Sequence, residues 1–199
     1  MSRLRILAEG RWPDPEAVGA PDHRDALPPL AGFTASSFNP LVAETAERCL
    51  RSHFGPAEAR GPVSSRTALL LASGSGDLAT ALAIDTAAAS GQRVPPLLFF
   101  QSNPNAVLGL VAARWRLTGP VVAVSPVAAV PGEVPPDALD LAKLLLADGD
   151  ADQVLVIGAE QTPRTDPGEA GGPTGRTDPS GPATPSYQDR AVALLVTLA

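Results

Sequence analysis

Thr67 to Ala72 reads TALLLA, and the four residues after it, Ser73 to Gly76, read SGSG. Six residues without polar alternation, closed by turn formers, suit a strand buried on both faces rather than one with a wet side. Two further segments have the same character: Val121 to Ser125 (VVAVS) and Gln153 to Ala159 (QVLVIGA). Between them the spacing becomes helical. Asp77 to Ser90 is an alanine-rich helix closed by Gly91. Asn103-Pro104 supplies a cap and a first-turn proline for a helix reaching to about Leu117. Asp137 to Asp148 (DALDLAKLLLAD) carries a broad apolar face and stops at Gly149. Buried strands alternating with helices predict a three-layer α/β domain on a mostly parallel sheet.

Working outward, residues 1 to 8 suit a short strand on Leu4, Ile6 and Ala8, and residues 9–38, rich in Pro, Asp and Gly, read as an irregular arm. A helix is expected from Asn39, with Pro40 at its first position, Glu44 and Glu47 near its positive end and Gly55 beyond its last turn. Val42, Ala46, Cys49, Leu50 and His53 share one stripe of it. Val94 to Phe100 is apolar and bounded by prolines, and Pro126 to Pro136 is a proline-rich loop. Residues 162–186 hold no apolar cluster and read as a flexible loop. Arg190 to Leu198 (RAVALLVTL) is a fifth strand, free to run antiparallel because no helix precedes it. Residues 1–199 thus form one domain with a five-stranded sheet.

Composition narrows the function classes. The chain is 44% apolar but only 4% aromatic, so its core is built from Ala, Val and Leu in thin, close layers. A net charge of −6, with Lys143 the only lysine and no basic stripe, argues against nucleic acid as a partner. One cysteine, Cys49, excludes an intramolecular disulfide. No signal-peptide core follows Met1 to Arg5, and no apolar run approaches the ~18 residues of a membrane span. The expectation is a soluble cytoplasmic protein without a membrane partner.

Three motifs carry a family resemblance. Leu117-Thr-Gly-Pro120 precedes the strand at Val121. Asp148-Gly-Asp-Ala-Asp152 leads into Gln-Val-Leu-Val-Ile-Gly-Ala-Glu160. Ser102-Asn-Pro-Asn105 opens an apolar helix. Over residues 67–160 this resembles the N-terminal half of a thiolase-fold β-ketoacyl synthase, and in particular the short ketosynthase-like proteins called chain length factors, such as those of aryl polyene clusters. In active synthases of that family the nucleophilic cysteine follows the Gly-Pro strand at the start of a helix, where the helix end lowers the thiol pKa. The resemblance places that position at Ala128, in Ser125-Pro-Val-Ala128, and alanine forms no acyl thioester. Ala129 to Pro136 also lengthens the turn before the next helix. The family's catalytic histidines belong to a C-terminal half, whereas His23 and His53 lie before the core.

The resemblance therefore implies a non-catalytic protein without cofactor, acting on an active ketosynthase as a heterodimer partner and, through it, on an acyl carrier protein. Such a partner serves polyketide or fatty-acid-like biosynthesis. Val121, Val122 and Val124 would form the edge that pairs across the interface, with Phe99, Phe100, Asn103 and Asn105 lining the interface and gating the partner's pocket. A homodimer stays open, as does Trp115 as anchor or as core.

Other residues admit other chemistry. Gly74-x-Gly76-x-x-Ala79, between strand and helix, fits a relaxed dinucleotide fingerprint and sustains the alternative of a nucleotide-binding α/β enzyme. Asp77 opposes an anion there, and the stretch from Val94 to Phe100 offers no acid for a ribose, so a tight turn is the favoured reading. A homodimeric scaffold is a further alternative. Cys49 suits core packing, with His53 one turn away as its only conceivable base. Ser125 lacks the surrounding glycines of a hydrolase elbow and is followed by Pro126. Asp150, Asp152 and Glu160 are read as turn caps rather than cation ligands, and Asp166, Glu169 and Asp178 as solvated loop residues. No metal site is expected.

Overall fold

β2 (Thr67–Ala72) is buried at every residue and divides two hydrophobic clusters. Side chains alternate across a strand, so Leu69 and Leu71 point into one cluster while Ala68, Leu70 and Ala72 point into the other. The computed structural model describes residues 3–14, 27–59, 65–163 and 187–199. Around β2 stand β1 (Leu4–Trp12), α1 (Phe38–Phe54), α2 (Leu78–Ala89), α3 (Pro96–Gln101), α4 (Pro104–Trp115), β3 (Val121–Val124), α5 (Pro136–Ala147), β4 (Gln153–Pro163) and β5 (Tyr187–Leu198). The strands form one sheet in the order β1-β5-β4-β2-β3. α1 covers β1, β5 and β4, α4 covers β2 and β3, and α5 lies alone on the opposite face. The three-layer α/β architecture is therefore the one expected.

The sheet is mixed rather than mostly parallel. β2 is parallel to β3 and β4, but β5 is antiparallel to both β4 and β1. Strands joined without a crossover helix pair antiparallel, and no helical segment separates β4 from β5 in the sequence. The arm expected over 9–38 is shorter than read. Glu9 to Trp12 continue β1, because Ala191 to Leu194 of β5 supply a ladder for them. Residues 15–26 lie outside the described residues. So do 164–186, which leaves the expected loop at 162–186 undescribed except that Thr162 and Pro163 extend β4.

α1 begins at Phe38, earlier than expected, with no acid in its first turn. Asn39 is not its cap, because Ser37 holds that position and Asn39 lies inside the first turn, where Nδ2 donates to the Gln101 carbonyl at 3.0 Å and to Asp77 Oδ2 at 3.4 Å. β3 is half-exposed rather than buried, since it is the end strand of the sheet. Val94 to Phe100 resolves mostly into α3.

Close backbone approaches explain the glycine motifs. A Cβ on Gly119 would lie 2.5 Å from Ala68 N and 2.6 Å from Thr67 O, so β3 reaches its place beside β2 only through glycine. A Cβ on Gly158 would lie 2.3 Å from the Glu133 carbonyl, where the loop after β3 crosses β4. Gly10 does the same for α1, with Cys49 N at 2.6 Å. Gly119→Ala forces backbone against backbone, and denaturant unfolding should show a loss of about 1–3 kcal/mol relative to the wild type. An unchanged midpoint would contradict this packing.

Candidate functional site

The free edge of β3 is set by its register on β2. Leu69 N donates to the Pro120 carbonyl at 2.8 Å and Ser73 N to the Val124 carbonyl at 3.1 Å. Backbone groups alternate along a strand, so those of Val121 and Ala123 point away from β2. Among the described residues no strand pairs with that side. Val121 is 38% exposed, while the half-buried Val122 and Val124 pack against the α5 cluster.

Next to this edge stand α3 and the start of α4. Pro at the first position and the Asn103 side chain, which accepts from Asn105 N at 3.0 Å, begin α4 as the sequence predicts. Asn103 and Asn105 are exposed. Phe99 and Phe100, at 57% and 60% exposure, are the largest apolar side chains left in solvent among the described residues. A cavity of about 210 Å³ joins the two elements, lined by Ser102 and Pro104 on one side and Ala123, Val124 and Ser125 on the other. Five of the seven expected interface residues are thus at the surface, while Val122 and Val124 are half-buried and turn their backbone groups toward β2. Trp115 is core: it is 1% exposed and its indole N–H donates to Glu47 at 2.8 Å.

Ala128 is exposed in an irregular stretch, and the next helix begins only at Pro136. No helix N-terminus therefore stands at residue 128 to stabilise an anion. Cys49 is fully buried against Gly10 of β1, and burial pushes its thiol up to about 12. His53 is exposed and meets the edge of Phe54, and His23 lies outside the described residues.

The glycine turn after β2 has an occupant of its own. Glu160 accepts from Gly74 N at 2.7 Å and from Ser75 N at 2.8 Å, so a carboxylate already fills the position a phosphate would take. Asp77 caps α2, accepting from Thr80 N at 3.0 Å, and Ser73 Oγ accepts from Gly76 N at 2.9 Å. The β2–β4 register makes this pairing inevitable. Ala72 lies opposite Gly158, so two residues on Gly74 meets Glu160. The same register brings Arg66 to Asp152, whose carboxylate accepts from Arg66 N at 2.6 Å and is held below the usual carboxylate range by that bond. Sequence reading gave Glu160 as a turn cap but missed that it caps a different strand's turn.

Asp150 is exposed, and Asp166, Glu169 and Asp178 lie outside the described residues. Among the described residues no group of His, Cys, Asp and Glu is placed to hold a metal ion, and no helix is long and apolar enough to cross a membrane. A larger cleft of about 760 Å³ lies on the α5 side, between β1, β5 and residues 131–134, and Glu9, Arg11, Glu133 and Arg190 line it among apolar side chains.

No protein-family model and no curated protein matches the chain. Solved structures do. A ketosynthase (ApeO) in complex with its chain length factor (ApeC) from Xenorhabdus doucetiae matches with a TM-score of 0.57 at 19% identity, over 98% of this chain and 79% of that one. The ishigamide ketosynthase/chain length factor matches with a TM-score of 0.57 at 19% identity, over 85% of this chain and 46% of that one. A β-ketoacyl synthase from Burkholderia phymatum STM815 matches with a TM-score of 0.56 at 19% identity, over 100% of this chain and 60% of that one. The chain thus falls short of two-thirds of the length of the latter two. At this identity the likeness establishes the fold: an α/β domain of the thiolase-like type.

Two outcomes follow from the site. Cys49 should stay unmodified by a thiol reagent at neutral pH and react only as denaturant opens the chain, because thiolate is the reacting form; labelling of the native protein would contradict its burial. Glu160→Gln turns one of the two oxygens that accept from Gly74 and Ser75 into an NH2 group, a donor facing a donor. Thermal or denaturant unfolding should report a loss of about 2–3 kcal/mol.

Proposed function

We propose that this chain is a non-catalytic, ketosynthase-like partner of an active β-ketoacyl synthase, of the chain length factor type, in polyketide or fatty-acid-like biosynthesis. The observation that carries the reading is the free edge of β3: an apolar end strand whose outward backbone groups pair with no other strand among the described residues. Such an edge is a template for pairing with another chain. The thiolase-like fold shared with a ketosynthase–chain length factor complex supports the choice of partner.

The reading of the chain as inactive rests on Ala128 and on its surroundings. Alanine at the nucleophile position cannot accept an acyl group, and residue 128 stands in an exposed loop rather than at a helix start. The buried Cys49 does not substitute for it. The acyl carrier protein enters only indirectly, through the active subunit, and no cofactor is required. The exposed apolar face next to β3 would shape the partner's acyl pocket rather than perform chemistry. The alternative of a dinucleotide enzyme has no specific observation in its favour, since Glu160 takes the amides of Gly74 and Ser75.

Size-exclusion chromatography with light scattering, on the chain alone and co-expressed with the ketosynthase encoded nearest to it, tests the proposal. A one-to-one complex is expected. Ala123→Pro removes an outward N–H from the free edge while sparing the bonds to β2, a position where proline is tolerated. That variant should keep the melting temperature of the free chain and lose the complex. A wild-type chain that ignores the ketosynthase would sink the reading.

A further inference from the structure

α2 is thinly covered: Leu78, Ala79, Ile84 and Ala87 are half-buried and most of its other residues are exposed. Its sequence, LATALAIDTAAA, is apolar on every side, yet Thr80 is its only buried residue and its only sustained neighbour is α3. A helix apolar all round belongs in an interior, and an isolated helix of this length is marginal in water. α3 is no better covered, with Gln101 its single buried residue and Leu97, Phe99 and Phe100 each more than half exposed. These two helices form an arm that the sheet does not support.

The arm comes near β3 at one point, through the residues that cap its two helices. The cavity at the carboxyl end of β3 is lined by Gly76 and Asp77, the residues that start α2, as well as by Ala123 to Ser125. Size also calls for the arm. β3 has four residues, about 13 Å of edge, whereas a stable interface takes about 20–30 residues a side. Adding α2 and α3 brings the face into that range, with two aromatic anchors of the kind that dominate interface energies.

Charge singles out two residues. Charged groups make up 18% of the chain, but between Leu78 and Ala113 only Asp85 and Arg93 carry charge. Both are exposed, and neither has an ion-pair partner among the described residues. A lone acid and a lone base on an apolar face govern which surface can close over it, because a like charge opposite either one is rejected. A second copy of the chain would bring another net charge of −6 to the contact, which favours a less acidic partner.

We propose that the α2–α3 arm is the recognition element for the ketosynthase subunit, which covers it with an apolar surface presenting a cation to Asp85 and an anion to Arg93. This rests on the functional reading above. The test measures binding of that ketosynthase by titration calorimetry for the wild type, Asp85→Arg and Arg93→Glu, with hydrogen exchange of α2 in the free and bound chain. Both positions are exposed, so the variants should melt as the wild type does. Each reversal is expected to weaken the complex at least a hundredfold, and α2 amides are expected to gain protection only in the complex. Reversals that bind like the wild type, or α2 amides that stay unprotected, overturn the inference while leaving the ketosynthase partnership standing. A homodimer dissolved by Asp85→Arg also overturns it, by placing a second copy on the arm. A wild-type chain that binds no ketosynthase overturns the partnership and the inference together.

Discussion

The burial of β2 on both faces is the constraint from which the other elements take their places. A strand with Leu69 and Leu71 on one side and Ala68, Leu70 and Ala72 on the other must be covered twice. α4 lies over one side and α5 over the other, so the chain crosses from face to face between β3 and β4. That crossing sends β3 to one flank of β2 and β4 to the other. β5 and β1 then extend the sheet beyond β4, and among the described residues nothing extends it beyond β3. The open edge is a consequence of the topology rather than an accident of one loop.

The parallel register between β2 and β4 has a second consequence. Residues at a fixed offset meet at both ends of the pair: Arg66 with Asp152 at the amino ends, and Gly74 and Ser75 with Glu160 at the carboxyl ends. A carboxylate therefore closes the sheet at each end. The carboxyl end of parallel strands is where α/β proteins usually bind ligands. Here the chain's own Glu160 occupies the amides that a phosphate would need, and the crevice becomes a rigid base for α2 instead of a binding site.

Much of this was legible because it is local. The runs at Thr67, Val121, Gln153 and Arg190 are strands; Asn103-Pro104 starts a helix; and Cys49 on its apolar stripe is core. What escaped was non-local. The antiparallel course of β5 was open from the missing helix before it, but its pairing with β1 and the extension of β1 through Trp12 join residues nearly the whole chain apart, which no window of sequence contains. Asn39 reads as a cap from its neighbours, but the helix already runs from Phe38, and the Asn39 amide instead donates to Asp77 and Gln101, which lie next to it only in space. Of the candidate surface, Phe99 and Phe100 were singled out through a resemblance, and both are exposed. The bareness of α2 was not, because an apolar helix looks the same in sequence whether the fold covers it or not.

The edge and the arm set each other's terms. An unpaired apolar strand is an aggregation hazard, and folded proteins usually blunt one with a charge, a proline or a bulge. β3 carries none of these between Val121 and Val124, and α2 and α3 expose leucine and phenylalanine beside it. The open surface, together with a glycine turn whose amides are taken by Glu160, supports the proposed contact with a protein partner. Specificity then has to come from the few polar groups present, because apolar area attracts without choosing. On the helical arm those groups are Asp85 and Arg93, and along the strand they are the outward backbone groups of Val121 and Ala123. The strand fixes the register of the contact, the aromatic side chains supply its area, and the two charges decide between partners.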